Sequence, residues 1–265
     1  MRRVALPLLF LLCLPAAASS DAPAGDVWRL LAGNLPGEAA AALRQAAPAD
    51  PRQRALAEAV ILVARQPLTD ERLREAERRL NDLAAEADET GAAALYLAGR
   101  LHQLHYTTPN FPRAAAYYRQ LADAQPDSAW AQLGLVKLAL LTLHVLPEPA
   151  APVDRLAAAE ALLARVVEPV LRRDLLIVLG RARLFYELDP ERARADLLAA
   201  DAIGGLTGLA EADLALQIGE LSFRAGDDVR AERYFGRFLQ SNDADPRVYA
   251  VEQRLAAIAA RKGAR

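Results

Sequence analysis

The residues of this chain that could carry chemistry are few. The histidines are His102, His105 and His144, and the single cysteine is Cys13. His102 and His105 are three positions apart, so they share a helix face and could begin a metal site. A third ligand at matching spacing is not evident, and the sequence predicts no metal site.

Motifs for phosphate or nucleophilic chemistry are also missing from the sequence. The glycine-rich segment 204–208 has no lysine, so it predicts a flexible turn and not a phosphate-binding loop. No Gly-x-Ser-x-Gly elbow is present. Glu71, Glu75 and Glu86 fall on predicted polar helix faces, which favours a solvated surface. We therefore predict no catalytic residue, no cofactor and no enzymatic activity.

Composition and charge exclude several classes of protein. The 265 residues include 32 basic and 34 acidic side chains, a net charge of −2 that argues against a nucleic-acid binder. A single cysteine excludes a disulfide framework. The mean hydropathy of +0.05 argues against a polytopic membrane protein, and we expect no integral membrane span.

The first residues have the pattern of a secretory signal peptide, which we assign to residues 1–18. Arg2 and Arg3 form a basic start, residues 4–15 are apolar, and residues 16–20 are small. The apolar run is near a dozen residues, well below the roughly 20 that a membrane span needs.

The expected cleavage site lies after Ala18 or Ser20. Cys13 would leave with the leader, and the mature chain would then have no cysteine, which suits an oxidising compartment. Leu12 precedes Cys13 and is not small, which disfavours lipoprotein processing. The sequence predicts a periplasmic or secreted protein.

Apolar residues recur at helical spacing along the remaining chain, as in Leu95, Ala98, Leu101 and Leu104, and predict an all-α fold. Glycines lie inside several of these runs, where each costs about 1 kcal/mol relative to alanine. Close contact between two helices would explain that cost. The small residues in this position fall 35, 35, 46 and 39 residues apart: Ala64, Gly99, Gly134, Gly180 and Gly219.

A second small residue follows on the next predicted helix, as in Ala114 after Gly99 and Ala231 after Gly219. The pattern resembles the tetratricopeptide repeat (TPR) family, which pairs two antiparallel helices in about 34 residues. The clearest matches are residues 216–243 and 95–126. The resemblance implies a right-handed α-solenoid, a TPR-like superhelix of antiparallel helix pairs.

The resemblance divides the chain into an N-terminal helix pair at 26–53, about five TPR-like units at 54–245, and a C-terminal capping helix at 246–265. No shift in composition marks a domain boundary. Asp189-Pro190 and Asp245-Pro246 each offer an N-cap followed by proline at the first helical position.

A proline-rich segment at residues 146–152 interrupts one predicted unit. It predicts an extended loop of about ten residues, with the next helix resuming near Asp154. A tolerated insertion, a binding loop and a break between two lobes all remain open.

In the TPR family the first helix of each pair lines the concave face. The resemblance therefore implies an apolar groove into which Arg65, Arg100 and Arg181 project, and arginine forks suit carboxylates. The alternative is that these arginines pair with neighbouring glutamates or face water. The predicted partner-binding residues are Arg65, Tyr96, Arg100, Gln103, Leu138, Arg181, Leu184 and Phe223.

The resulting functional hypothesis is an exported, non-enzymatic scaffold that binds a protein or peptide segment, and acidic groups in that segment would suit the arginines. A periplasmic chaperone-like assembly factor and a non-catalytic helical subunit of an envelope enzyme are alternatives. A small-ligand carrier would need a closed apolar pocket instead of an open groove.

Overall fold

A computed structural model describes residues 22–45, 50–242 and 244–263, with side chains from Asp26 onward. The predicted signal peptide, residues 1–18, and its cleavage sites lie outside these ranges. Most of the described residues are helical and none lies in a β-strand, which confirms the all-α prediction. The helices are α1 (Ala22–Ala32), α2 (Pro36–Gln45), α3 (Pro51–Ala64), α4 (Asp70–Leu83), α5 (Glu89–Arg100), α6 (Phe111–Ala124), α7 (Ala129–His144), α8 (Pro152–Leu163), α9 (Pro169–Phe185), α10 (Pro190–Ile203), α11 (Gly208–Arg224), α12 (Asp228–Ser241) and α13 (Val248–Gly263).

The chain divides into two compact units, and the division falls between Leu141 and Thr142, within α7. We call them the N-terminal unit and the C-terminal unit. Composition does not change along the chain, so the sequence showed no boundary. The division lies a few residues before the proline-rich segment 146–152.

Consecutive helices pack as hairpins within each unit. In the N-terminal unit α1 packs on α2, α3 on α4 and α5 on α6. In the C-terminal unit α9 packs on α10 and α11 on α12. The N-terminal helix pair predicted at 26–53 is α1 and α2, although α3 already begins at Pro51.

Helix α5 continues into one π-helical turn, Leu101–His105. The wider turn is closed by the Tyr106 amide, which donates to the Leu101 carbonyl at 3.3 Å. The Asn110 amide donates to the His102 carbonyl at 2.8 Å, and the Asn110 side chain then caps α6. Such turns interrupt α-helices over short stretches and re-aim the side chains they carry.

Asparagine and aspartate begin several of the helices. The predicted cap at Asp189 is confirmed, because its Oδ1 accepts from the Arg192 amide at 2.9 Å with Pro190 opening α10. The predicted start at Asp245-Pro246 is wrong. Asp245 instead begins a turn, in which its carbonyl accepts from the Val248 amide. Helix α13 begins two residues after the proline.

The segment between α7 and α8 is seven residues long, 145–151, and therefore shorter than predicted. Helix α8 begins at Pro152, two residues before the predicted restart. The Arg155 guanidinium of α8 donates to the carbonyl of Thr142 in α7 at 3.0 Å and to the carbonyl of Pro147 in the segment at 3.3 Å. These bonds tie the segment to its own helices.

Three of the predicted close contacts at glycine are confirmed. A Cβ on Gly99 would lie 2.5 Å from the Tyr118 ring, and one on Gly219 would lie 2.7 Å from the Phe235 ring. A Cβ on Gly180 would lie 3.0 Å from Leu197. Gly134 differs, because its Cβ would meet Leu121 of the preceding helix at an ordinary 3.5 Å.

We predict that Gly219→Leu lowers the free energy of unfolding by about 1–3 kcal/mol, because any side chain there overlaps the buried Phe235 ring. Gly236 is the matched control, since it lies inside α12 with open space around its Cα. Gly236→Ala should raise stability by about 0.5–1 kcal/mol. Denaturant unfolding measures both, and an unchanged midpoint for Gly219→Leu would contradict a close contact between this glycine and Phe235.

Candidate functional site

The structure places five predicted groove residues in the N-terminal unit and three in the C-terminal unit. Arg65 and Arg181 are exposed. Gln103, Leu184 and Phe223 are half-buried. The remaining three, Tyr96, Arg100 and Leu138, are buried.

Tyr96 and Leu138 do not offer a surface to a partner, which corrects the prediction for both. The Tyr96 ring packs at 5.9 Å from the Tyr118 ring and 5.4 Å from the Trp130 ring, measured between centroids. Leu138 is 3% exposed. Helical spacing identified apolar residues on one face, but these two are core residues of the N-terminal unit.

Phe223 is also covered within its own unit. Two guanidinium groups of α13 lie over its ring, Arg254 at 5.0 Å and Arg261 at 4.4 Å from the centroid. Arg254 further pairs with Glu220 at 2.9 Å, and Arg261 with Asp228 at 2.6 Å. The predicted capping helix therefore occupies the face on which Phe223 was expected to meet a partner.

The exposed arginines Arg65 and Arg181 carry unneutralised charge. Arg181 Nε donates to the neutral Gln217 amide oxygen at 3.1 Å. Within the described ranges neither guanidinium forms an ion pair. Other arginines bridge helices through carboxylates, as Arg52 does to Asp88 at 2.9 Å and Arg237 does to Asp201 at 2.7 Å.

Arg100 does not project into an open groove. The residue is only 7% exposed, and its Nη1 donates a long bond of 3.4 Å to Gln103 Oε1. The Tyr118 hydroxyl donates to the same oxygen at 2.8 Å. No carboxylate of the described chain lies within 4.0 Å of this guanidinium.

A small cavity of about 20 Å³ lies against Arg100. His105 also borders it, and burial together with the charge of Arg100 lowers the pKa of His105 to about 4. His105 is therefore neutral near pH 7 and adds no charge beside Arg100. The other lining residues are apolar: Ala59, Val60, Val63, Leu80, Leu97 and Leu101.

A second cluster in the N-terminal unit is centred on Glu77 of α4. Its Oε1 accepts from His102 Nε2 at 2.8 Å, Arg113 Nη2 at 2.8 Å and the Tyr117 hydroxyl at 3.0 Å. Its Oε2 accepts from the Tyr106 hydroxyl at 2.8 Å. The donors come from the π-turn, the residue that follows it, and α6, so one carboxylate joins three consecutive helices.

The pKa of Glu77 is set by burial and by these hydrogen-bond donors. Burial alone would raise its pKa, but the hydrogen bonds from His102 and Tyr106, the charge of His102 and the bond from Arg113 lower the pKa to about 2. Burial and the contact with Glu77 raise the pKa of Tyr106. A carboxylate that is ionised and accepts hydrogen bonds from several donors is a weak base. The cluster therefore suits a structural role between helices better than general acid–base catalysis.

The Glu77 cluster was missed by sequence reasoning, which assigned the acidic residues of α4 to a solvated face. Its donors lie up to 40 positions away in the chain, so no local spacing reveals them. His102, a candidate metal ligand by spacing alone, has its Nε2 engaged by Glu77 and its ring stacked on Tyr106 at 4.9 Å.

An open depression of about 460 Å³ lies beside the Glu77 cluster. Both basic and acidic side chains line it. Its lining residues are Glu71, Arg74, Glu77, Arg78, Asn81 and Arg113.

The C-terminal unit contains a buried cluster of charged side chains around Arg183. Arg183 of α9 is 7% exposed, and its Nε donates to Asp196 Oδ2 of α10 at 2.9 Å. Arg183 also bonds Glu160 of α8. Burial raises the pKa of Asp196 although Arg183 and Arg192 oppose that shift. The cluster joins the consecutive helices α8, α9 and α10, as Glu77 joins three helices of the N-terminal unit.

Two kinds of feature are absent from the described ranges. They contain no group of three or more His, Cys, Asp or Glu side chains placed to hold a metal ion. None of their helices combines the length and apolar character required to traverse a bilayer.

We predict that Glu77→Gln lowers the free energy of unfolding at pH 7 by roughly 3 kcal/mol, from a pKa held near 2 against an ordinary value of 4.5. A depressed pKa stabilises the ionised fold, so the contribution is full above pH 4.5 and disappears as the pH falls to about 2. Urea unfolding across this window should be steeply pH-dependent in the parent chain and flatter in the variant. Glu71→Gln changes an exposed position of the same helix and should leave the pH dependence of the free energy of unfolding as in the parent chain. The same pH dependence in all three proteins would contradict a stabilising role of ionised Glu77.

No protein-family model matches the chain, and no curated protein matches it in sequence. A functional conclusion therefore depends on the geometry of the chain's own residues.

Proposed function

We propose that this protein is an exported, non-catalytic TPR-like scaffold that binds a partner segment carrying acidic groups. The observation that carries the proposal is the repeated glycine contact. In three hairpins, a glycine of the first helix receives a large side chain of the second: Gly99 with Tyr118, Gly180 with Leu197, and Gly219 with Phe235. The same contact in three hairpins supports a repeated unit of the TPR type.

Packing between neighbouring hairpins also supports a repeat architecture. In the N-terminal unit the first helices contact one another in order, α1 with α3 and α3 with α5, and the second helices α2 and α4 contact α3 and α5. In the C-terminal unit α10 contacts α11, and α12 contacts α13. Contacts limited to near neighbours in sequence are typical of repeat proteins, whose stacked first helices present a binding face.

Each unit offers one exposed arginine to an acidic group of a partner, Arg65 in the N-terminal unit and Arg181 in the C-terminal unit. Both are exposed arginines at predicted groove positions, and neither is neutralised by a carboxylate of the described chain. A guanidinium presents two parallel N–H groups that match a carboxylate, which makes an acidic segment the complementary ligand. Four other predicted groove residues are not part of this contact, because the fold already covers them: Arg100, Tyr96, Leu138 and Phe223.

Export is the second part of the proposal and depends on residues 1–20. The basic start, apolar run and small residues predict that the mature chain begins at Ser19 or Asp21. N-terminal sequencing of protein recovered from a periplasmic fraction tests this assignment.

The binding proposal predicts the behaviour of two matched double variants. Arg65→Glu with Arg181→Glu reverses both exposed groove charges. Arg119→Glu with Arg233→Glu makes the same charge change on exposed positions of the second helices α6 and α12. A partner crosslinked to the chain from Ser19 in envelope extract should bind the first variant at least tenfold more weakly, since one charge-assisted hydrogen bond contributes about 1.5–3 kcal/mol.

The control variant should keep the parent's affinity within about twofold, measured by calorimetry on the purified partner, as expected for weak surface charges. Circular dichroism establishes that both variants fold. Equal affinity of the two variants would overturn the assignment of Arg65 and Arg181, and capture of no partner by the parent chain would overturn the scaffold proposal.

A further inference from the structure

Three aromatic rings meet where α7 and α9 end in the C-terminal unit. The Phe185 ring centroid lies 5.8 Å from that of His144 and 5.1 Å from that of Tyr186. The His144 and Tyr186 rings stack at 6.4 Å. The Tyr186 hydroxyl donates to the Leu143 carbonyl, which ties the group to α7. Each ring is therefore held in place by the other two.

Phe185 is nevertheless 72% exposed. His144 is exposed as well, and Val145, the next residue of the chain, is 41% exposed. A single exposed apolar side chain is ordinary, but this ring belongs to a group of exposed residues and has fixed neighbours. An aromatic side chain that is already held loses little conformational freedom when a partner covers it. We call His144, Val145 and Phe185 the Phe185 surface.

Arg181 lies one helical turn before Phe185 on α9. Side chains four positions apart share a helix face, and their Cβ atoms are about 5–6 Å apart. Arg181 is exposed, and its Nε donates to the neutral Gln217 side chain of α11 at 3.1 Å. It forms no ion pair within the described ranges. An exposed ring and an exposed guanidinium therefore lie side by side at the end of α9.

His144 adds no charge to the Phe185 surface. Burial and the nearby charge of Arg155 lower the pKa of His144 below its ordinary 6.5, so the ring is neutral near pH 7. The surface consequently offers apolar rings next to the single positive charge of Arg181. Aromatic residues and arginine are the types that are enriched where protein partners meet.

We propose that the Phe185 surface and Arg181 together bind an extended partner segment in which a large apolar side chain lies two positions from an aspartate or glutamate. Residues of an extended chain are about 3.3 Å apart and alternate in direction, so side chains two positions apart point the same way at about 6–7 Å. This spacing is close to that of Arg181 and Phe185. The carboxylate binds the guanidinium, and the apolar side chain covers the ring. The inference rests on the proposed function and adds the apolar half of the contact.

The first test uses defined peptides and the chain from Ser19. Two capped heptapeptides of glycine and serine carry phenylalanine and glutamate two positions apart, one in each order. The chain has three histidines, and His144 is the exposed one, so its ring protons in NMR report on this surface while His102 and His105 serve as internal controls. At least one peptide should shift the His144 signal saturably.

Two altered peptides separate the halves of the contact. Glutamine in place of glutamate should weaken binding about tenfold or more, since a charge-assisted hydrogen bond is lost. Alanine in place of phenylalanine should weaken it about threefold or more, since an aromatic pair is lost. No saturable shift with either parent peptide, or undiminished binding of an altered peptide, overturns the inference.

The second test changes the protein. Phe185→Ala removes the exposed ring, and Tyr249→Ala makes a matched change on α13, where Tyr249 is 71% exposed. Both variants should fold, because both side chains lie mostly in solvent, and circular dichroism checks this. Phe185→Ala should bind the peptide about threefold or more weakly, whereas Tyr249→Ala should stay within about twofold of the parent. Equal affinities of the two variants contradict the assignment of Phe185.

The outcomes also separate this inference from the scaffold proposal and from a second copy of the chain. A purified partner that binds the Arg65 and Arg181 double variant weakly but Phe185→Ala as tightly as the parent would keep the scaffold and overturn the apolar contact. Peptide binding without capture of any partner would keep the surface and overturn the scaffold. Sedimentation equilibrium that shows a parent dimer and a monomeric Phe185→Ala would assign the surface to a second copy and overturn the inference.

Discussion

The close approach of two helices at glycine is the constraint on which three of the described hairpins depend. Gly99, Gly180 and Gly219 each leave a space that a large side chain of the partner helix fills. The side chains that fill these spaces are completely buried and sit at the centre of their hairpins: Tyr118, Leu197 and Phe235. The contact therefore sets the distance between the paired helices, and the remaining core side chains pack at that distance.

Buried polar groups give each unit a second kind of constraint. Glu77 collects donors from the π-turn and α6, while Arg183 collects carboxylates from α8 and α10. A buried ion pair contributes little net stability compared with apolar packing, but leaving one partner alone is costly. These groups consequently favour one register of three consecutive helices over alternatives that would separate the charges.

The arginines of this chain divide by how their charge is balanced. One group is paired with carboxylates within the fold and ties neighbouring helices together, as Arg52 and Arg183 do. Arg65 and Arg181 are exposed and form no ion pair within the described chain, so we propose that they bind acidic groups of a partner segment. Arg100 is largely buried, and its guanidinium donates to the neutral Gln103 side chain.

Local pattern by itself determined the helices, the Asp189 cap and the close glycine contacts, because helical periodicity, capping and the absence of a Cβ act over a few residues. Those signals could not reveal that Arg100 and Tyr96 are buried, that α13 covers Phe223, or that Glu77 is enclosed by donors. The same helical face can meet solvent or a neighbouring helix, and the sequence of that face is similar in both cases. Only the tertiary structure decided between them, because burial and charge pairing arise from contacts between segments far apart in the chain.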